Sequence, residues 1–434
     1  MKTRTTSAAP RIGLLFDQDY DALAHARLAA HARFDRLGHD IGTAAGRVRL
    51  ARFDFERFAD AAARKARKRG WTAVVSHQEF QGVLAASLIA ERCGLPGTPP
   101  ESILACHHKL HARKVLRQVC PEANAGFHVL DPNPERLPQG LAFPAHVKPV
   151  RGTFSIMAAP VENEEACRRH LRLGPIGRWS MNLLLEPFDR LVARRLPDAG
   201  SSRRFLAEEV LQGTQHNLDG WMDDHGGHLL GIVDAHFYPG TRAFQRWQYP
   251  SALPSSVKQA AFDVAVRFLR AVGFSRGFFN MEFFHDPTQS RLTVLEFNPR
   301  FASQFGDLYR LVDGVDPHHM AIALALGEDP RRLPRLVPTA GVAASLVWRS
   351  FGTAPPPLPG RSKRASLAAA FPCATLMTYP HSLSLLARGP RWLESHRYGV
   401  INLGAADPED LARDALRAAS LLGWPNAPYQ TSAP

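Results

Sequence analysis

The chain has 434 residues, 45% of them hydrophobic, which is enough for about two to four domains with buried cores. No stretch approaches the roughly 18 apolar residues of a membrane helix, and residues 1–10 lack the apolar segment of a secretory signal. We therefore predict a cytoplasmic protein with no membrane partner.

The net charge of +13 raises the question of a nucleic-acid partner, since basic domains bind phosphate backbones. The basic residues are spread along the chain, and their densest run, residues 64–69, closes a predicted helix that begins near Phe55. Positive side chains in a last helical turn complement the helix dipole, so this run is typical of a solvated helix end. We predict no specific nucleic-acid partner.

The first hundred residues alternate between strand and helix patterns. Strands are predicted at 11–16, 47–53 and 71–76, and helices at 20–37, 55–69 and 81–93. This alternation predicts a small parallel α/β domain, which we assign to residues 1–104. Residues 77–79 follow the third strand, where a ligand could bind, but a plain loop is the commoner interpretation.

Residues 101–120 form a predicted helix with histidines crowded in its first turns. These are His107, His108 and His111, and Lys109 lies among them. Their spacing puts at most two imidazoles on one face and no acidic partner stands nearby, so we expect no histidine metal site here.

A second group of elements follows a proline-rich linker. Strands are predicted at 145–150, 156–159, 204–213 and 215–221, and helices at 162–173 and within 250–271. A loop of small residues, 151–155, joins the first two strands, and Gly213 reads as a hinge. Beyond residue 300 we predict a helix at 320–326, a strand at 399–404 and a last helix at 408–422.

Residues 277–300 predict a β-hairpin, because two aromatic and branched runs flank turn residues at 286–290. If the turn centres near Gln289, opposed positions sum to a constant. The opposed pairs are then Glu282 with Glu296 and Asn280 with Asn298. Alternation places on the other, apolar face Phe279, Met281, Phe283, Leu295 and Phe297.

Two opposed carboxylates on a sheet repel each other, so the pair of Glu282 and Glu296 needs a reason. A bound Mg²⁺ would supply one, since this ion takes carboxylate and amide oxygens and shares its shell with phosphate oxygens. The alternative is a register different by one residue, or a pair that faces water.

Several motifs stand in one order along the chain. They are Lys109, the strand at Lys148 and Pro149 with the loop 152–155, the run 208–211, Glu282, and the run 296–300. Together they resemble the ATP-grasp superfamily over roughly residues 101–330. The resemblance implies an α/β and α+β architecture, in which the N-terminal α/β domain precedes an ATP-grasp domain. The implied boundaries are 105–330 for that domain, about 141–211 for its lid subdomain, and 331–434 for a C-terminal segment packed on the core.

The resemblance also implies roles for individual residues. ATP would contact Lys109, Lys148, Gly152, Thr153, Ser155, Glu208, Glu209, Leu211 and Gln215. Mg²⁺ would be held by Glu282, Glu296 and Asn298. Arg300 and Lys148 would be catalytic, with Arg300 stabilising the transferred phosphoryl group or the acyl phosphate. Phe154 in the loop and Gln215 near the ribose depart from the usual pattern.

The hairpin and the C-terminal residues 398–422 are most similar to the L-amino-acid ligase and related carboxylate–amine ligase branch. This implies an ATP-dependent ligase of specialised metabolism that joins a small carboxylic acid to an amine, both expected to be amino acids, and often a homodimer. A biotin-carboxylase-like reaction with bicarbonate is the alternative, although residues 301–305 lack the Glu-His pair of such enzymes. A nucleotide- or nucleic-acid-binding protein without chemistry is the other alternative.

Overall fold

The computed structural model describes residues 9–39, 53–152, 157–351, 355–379, 395–425 and 428–429. Its helices are α1 (Asp19–Arg27), α2 (Phe55–Arg69), α3 (Gly82–Cys93), α4 (Pro100–His107), α5 (Lys109–Val119), α6 (Glu164–Leu171), α7 (Pro175–Arg195), α8 (Ser255–Ala271), α9 (Gly306–Asp313), α10 (Pro317–Ala325), α11 (Arg361–Ala370) and α12 (Pro408–Leu422). Its strands are β1 (Arg11–Leu15), β2 (Arg33–Leu37), β3 (Ala73–Val75), β4 (Phe127–Leu130), β5 (Ala145–Pro149), β6 (Ala159–Val161), β7 (Phe205–Glu209), β8 (Thr214–Asp223), β9 (Gly226–Phe237), β10 (Phe244–Tyr249), β11 (Gly277–Asp286), β12 (Arg291–Asn298), β13 (Val342–Phe351), β14 (Thr375–Thr378) and β15 (Ser395–Ala405).

The N-terminal residues form a parallel sheet in the order β2-β1-β3. The helix predicted at 20–37 is wrong in its second half, because it ends at Arg27 and β2 follows. Tertiary contacts decide this: β2 pairs with β1, and Asp35 accepts hydrogen bonds from Arg11 at 2.8 Å and from the Trp71 indole at 2.7 Å. The strand predicted at 47–53 falls almost entirely on residues 40–52, outside the described ranges.

Helix α2 ends as its basic run predicts. Gly70 follows it in the left-handed region at φ +67°, and the last turn contains Arg67, Lys68 and Arg69. Asp54 caps the other end by accepting from the Arg57 amide. Within the described ranges, no helix combines the length and the apolar character that a membrane crossing requires.

The single helix predicted at 101–120 is two helices, α4 and α5, which break at His108. The backbone of His108 is not helical, and its Nδ1 accepts from the His111 amide at 3.2 Å. His108 is therefore the N-cap of α5, and Lys109 is the first residue of that helix.

A four-stranded antiparallel sheet in the order β4-β7-β5-β6 contains the strand predicted at 145–150. The strand predicted at 156–159 is wrong in its bounds, since β6 shares only Ala159 with it. The strand predicted at 204–213 is shorter, since β7 ends at Glu209. Gly213 turns the chain into β8 with φ +90°, and a Cβ there would lie 2.1 Å from the His285 carbonyl oxygen. Only glycine fits this position.

The largest sheet has eight antiparallel strands in the order β12-β11-β8-β9-β10-β13-β15-β14. Helix α8 packs on the part of this sheet that contains β11 and β12, where Phe268 stacks on Phe297 with ring centroids 3.9 Å apart. The C-terminal residues supply β13, β14 and β15, so they extend the sheet that carries the hairpin. Sequence patterns missed β9, β10, α7 and α9, whereas α10 contains most of the helix predicted at 320–326.

Candidate active site

The β11–β12 hairpin has the predicted register at its polar end. The opposed pairs are Glu282 with Glu296 and Asn280 with Asn298. A β-bulge follows, and beyond it Phe283 pairs with Val294. Val294 is therefore fully buried, while Leu295, which we predicted on the apolar face, is the unpaired residue of the bulge and only half-buried. The other predicted members of the apolar face are buried, namely Phe279, Met281, Phe283 and Phe297.

The bulge directs two successive carbonyl groups towards cations of neighbouring elements. Arg113 of α5 donates to the Val294 carbonyl at 2.7 Å and to the Leu295 carbonyl at 3.1 Å. Lys148 of β5 donates to the Leu295 carbonyl at 3.2 Å. Successive carbonyls of a regular strand point to opposite sides, so the bulge is what lets α5 and β5 hold the hairpin together.

Glu208 of β7 is buried between two cations. Arg113 contacts it through two nitrogens, at 2.8 and 3.1 Å, and Lys148 Nζ lies 2.8 Å away. Burial raises the pKa of Glu208, but Arg113 and Lys148 outweigh it and bring this pKa down to about 2. Both oxygens of the Glu208 carboxylate therefore contact these cations. The contact of Glu208 with adenine would involve its backbone, and it stays a prediction.

Lys109 and Lys148 each use two of their three ammonium hydrogens. Lys109 contacts Glu296 at 3.1 Å and the Gly152 carbonyl at 2.8 Å. Lys148 contacts Glu208 and the Leu295 carbonyl, as described above. In the described part of the chain nothing engages the third hydrogen of either lysine, so each keeps a donor for an anion.

The carboxylate pair holds a proton. Burial, reinforced by Glu296, raises the pKa of Glu282 to about 8. Burial also raises the pKa of Glu296, but Lys109 and Lys148 outweigh it and leave this pKa below its usual value. Gln215 donates to Glu282 at 2.9 Å, so its side-chain amide lies beside the pair of Glu282 and Glu296. Its expected contact with a ribose stays a prediction. With Asn298 alongside, two carboxylates and one amide oxygen are a donor set that fits Mg²⁺.

A third carboxylate reaches the site from the N-terminal sheet. Glu79, in the loop after β3, forms an ion pair with Arg300. The side-chain amide of Asn298 lies 3.3 Å from both Glu79 carboxylate oxygens and donates to them when its nitrogen faces Glu79. We had interpreted residues 77–79 as a plain loop, although the carboxyl ends of parallel strands are where α/β folds bind ligands.

Asp219 of β8 supports the site from inside the sheet. It accepts hydrogen bonds from the Asn280 amide at 2.9 Å, the Ala302 backbone at 3.0 Å and the Tyr309 hydroxyl at 2.8 Å. Burial raises the pKa of Asp219 to about 6, against these hydrogen bonds. Asp219 therefore holds both Asn280 and the turn that follows Arg300, a role that no sequence pattern indicates.

The remaining predicted contacts of ATP stay predictions. Glu209 forms an ion pair with Arg291 at 2.6 and 3.0 Å, which ties β7 to the hairpin. Leu211 lies half-buried in the connection between β7 and β8. Thr153 and Ser155 lie outside the described residues.

Glu282 contributes stability to the metal-free protein that is lost as the pH rises from about 4.5 to about 8. It keeps its proton in the folded chain up to its pKa of about 8, whereas the unfolded chain releases it near the ordinary value of 4.5. At this residue the folded state therefore binds more protons, and the contribution of Glu282 to the free energy of unfolding falls with pH by at most about 1.4 kcal/mol per unit. Mg²⁺ binding should instead tighten as the pH rises, because the ion displaces that proton.

Thermal unfolding with a chelator at pH 5.5, 7 and 8.5 measures this effect. The free energy of unfolding of the unmodified chain, relative to that of the Glu282→Gln variant, should fall as the pH rises through this range. Parallel curves for the two proteins would contradict the raised pKa.

Comparison with known proteins gives partial sequence similarity. No protein-family model matches the sequence. Carnosine synthase 1 of Gallus gallus is 28% identical over 282 residues, which are 62% of this chain and 29% of that protein. An uncharacterised protein of Sinorhizobium fredii is 28% identical over 270 residues, 61% of this chain and 51% of that protein. The chain thus spans less than two thirds of the length of either relative.

Solved structures match nearly the whole chain. The L-amino acid ligase of Bacillus licheniformis is 14% identical with a TM-score of 0.70, and the match covers 97% of this chain and 100% of that one. The N5-carboxyaminoimidazole ribonucleotide synthetase of Thermus thermophilus is 20% identical with a TM-score of 0.63, covering 96% and 100%. The biotin carboxylase of Campylobacter jejuni is 14% identical with a TM-score of 0.63, covering 95% and 91%. The chain therefore shares the fold of these enzymes, which is the ATP-grasp fold that the sequence motifs predict.

Proposed function

We propose that the chain is an ATP- and Mg²⁺-dependent ligase that joins a carboxylic acid to an amine. The observation that carries this proposal is the convergence, at one end of the hairpin, of opposed carboxylates, two lysines with a donor to spare, and a partly buried arginine. These residues are Glu282, Glu296, Lys109, Lys148 and Arg300. Such a set binds and neutralises a triphosphate. The similarity to an L-amino acid ligase over the whole chain and to carnosine synthase over part of it supports amino acids as substrates.

The reaction has two steps. A carboxylate oxygen of the acid attacks the γ-phosphorus of ATP, the bond from that phosphorus to the bridging oxygen breaks, and ADP leaves with the electron pair. The amine nitrogen then attacks the acyl carbon of the acyl phosphate, the carbon–oxygen bond to phosphate breaks, and the nitrogen loses a proton. The products are an amide, ADP and phosphate, and no covalent enzyme intermediate is required.

The described residues divide this work. Lys148 and Lys109 would bind phosphate oxygens with their remaining hydrogens, and Glu282, Glu296 and Asn298 would hold Mg²⁺, which neutralises charge on the phosphates. Arg300 would stabilise negative charge on the transferred phosphoryl group and on the acyl phosphate. Its ion-pair partner, Glu79, orients the guanidinium.

The test is a screen of acids and amines with ATP and Mg²⁺, read as phosphate release with mass spectrometry of the product. We expect one or more amino-acid pairs to stimulate ADP formation and to give a product lighter by one water than the sum of the pair. Turnover that requires bicarbonate instead would replace the ligase with a carboxylase-type reaction. Salt-dependent binding of nucleic acid without any stimulated turnover would overturn enzymatic function altogether.

The Lys148→Ala variant is expected to bind ATP about 10- to 100-fold more weakly, since one charge-assisted hydrogen bond is worth about 1.5–3 kcal/mol. The fold should survive, because Glu208 keeps its two-nitrogen contact with Arg113. Titration of ATP by calorimetry measures the change.

Lys114→Ala is the control variant. It removes another lysine, from α5, whose Nζ donates to the backbone carbonyl of the exposed Asp198 at 3.2 Å. It should bind ATP as the unmodified chain does. Equal affinities for all three proteins would exclude a phosphate contact of Lys148.

A further inference from the structure

A second cluster of polar side chains lies buried beneath the candidate active site. Asp21 and His25 come from α1, His77 from the loop after β3, and His318 from α10. Their exposed fractions are 9%, 2%, 8% and 2%, in that order. The proposed ligase chemistry uses none of them.

The cluster converges on one point. His318 Nε2 lies 3.0 Å from Asp21 Oδ1. One ligand atom each from Asp21, His77 and His318 lie within 4.8 Å of one another, and no other group of this kind occurs among the described residues. The His25 ring lies beside them, with its centroid 5.6 Å from that of His318 and 6.2 Å from that of His77.

Two ring nitrogens of the cluster have no hydrogen-bond partner among the described residues. They are Nε2 of His77 and Nε2 of His25. The other nitrogen of His25, Nδ1, lies 2.7 Å from Asp17, which is also paired with Arg36 at 2.7 Å. The contact with Asp17 occupies Nδ1 of His25, and Nε2 is the ring nitrogen that is left without a partner among the described residues.

A buried ring nitrogen without a hydrogen-bond partner is unfavourable, and a bound cation or an ordered water would satisfy two of them beside a carboxylate. Neutral imidazole nitrogens and one carboxylate are the ligands that zinc prefers. A metal-ligating histidine usually donates its other nitrogen to a carboxylate. Asp17 has this position at His25.

We propose that Asp21, His77 and His318, with His25 as the fourth ligand, bind one zinc ion. The ligand atoms within 4.8 Å of one another come from Asp21, His77 and His318, and the adjacent His25 ring would turn its Nε2 towards the ion to complete the tetrahedron. All four positions of the tetrahedron are then filled by the protein, which is the arrangement of a structural site and not of a catalytic one.

The ion would join segments that are distant in sequence. It would link α1 and the β3 loop of the N-terminal sheet to α10, which follows the hairpin. Phe301 packs on both His77 and His318, with centroids 4.4 and 4.9 Å away, and it directly follows Arg300. Glu79, the partner of Arg300, is two residues beyond His77. The zinc site would therefore fix the position of the loop after β3 relative to the turn that follows Arg300.

Zinc content of the full-length protein tests this directly. The protein is stripped with 1,10-phenanthroline, incubated with Zn²⁺ in excess Mg²⁺, desalted, and measured by plasma mass spectrometry. We expect about one zinc per chain, and a chelator competition should give an affinity at least about tenfold lower in Asp21→Asn, His77→Gln and His318→Gln. The temperature of thermal unfolding should also rise on zinc addition in the unmodified chain, but not in these three variants.

His319→Gln is the matched control. It removes a half-buried imidazole from the same helix, next to His31 at the surface, and should bind zinc normally. The proposal is overturned if the unmodified chain binds no zinc, which would leave water in the cluster. It is equally overturned if His319→Gln loses the zinc while the folded Asp21→Asn chain, the mildest of the changes, keeps it.

Discussion

Replacement of Glu296 by alanine is expected to lower kcat by about 10³-fold or more while the chain stays folded. Glu296 is one of the two carboxylates proposed to hold Mg²⁺, and its loss leaves Glu282 and the Asn298 amide as the remaining ligands. Without the ion, charge on the phosphates is neutralised by lysines alone. ADP release at saturating Mg²⁺ measures the loss.

The structure explains why the fold should tolerate this change. Removing Glu296 takes away the like charge that faces Glu282, so the pKa of Glu282 should fall. Lys109 keeps its hydrogen bond to the Gly152 carbonyl. Glu122→Ala, which removes a half-exposed glutamate paired with Arg267, serves as the control and should leave kcat unchanged. Activity of Glu296→Ala close to that of this control would remove the metal assignment.

The Arg300→Ala variant is expected to lower kcat by about 10²- to 10³-fold with little change in the affinity for ATP. The guanidinium is proposed to act on charge that develops at the transferred phosphoryl group, so its loss affects the transition state more than nucleotide binding. Arg300→Lys should restore little, because an ammonium lacks the planar fork that engages Glu79 and a phosphoryl group together.

The surface variant Arg267→Ala controls for loss of an arginine, and it should have normal kcat. A variant with a raised KM for ATP and an unchanged kcat would place Arg300 in nucleotide binding instead of catalysis. The two readouts, kcat and the KM for ATP, thus distinguish a catalytic role of Arg300 from a role in nucleotide binding.

The hairpin shows how far local sequence reasoning reaches. Alternation of polar and apolar residues, with turn residues between the strands, was sufficient to predict that Glu282 faces Glu296. The bulge was missed, because an extra residue in one strand leaves no mark in a pattern of alternation. The consequence was a wrong position for Leu295, whose carbonyl instead contacts Arg113 and Lys148.

Strand β2 shows where local sequence reasoning fails. Its sequence, from Arg33 to Leu37, continues a composition that favours a helix, and only pairing with β1 makes it a strand. Asp35 secures that pairing through Arg11 and Trp71, which lie 24 and 36 residues away. Tertiary contacts of this kind override local propensity and cannot be read from a window of the chain.

The sequence by itself determined the order of the motifs and the polar face of the hairpin, and hence the resemblance on which the predicted ATP-grasp fold and the proposed ligase chemistry rest. Only the tertiary structure decided which groups meet there: Glu79 beside Arg300, Arg113 beside Glu208, Asp219 beneath Asn280, and the buried histidines around Asp21. The physical reason is the same in each case. These contacts join segments far apart in the chain, and the burial that shifts their pKa values or leaves their nitrogens without partners exists only once the sheets have packed together.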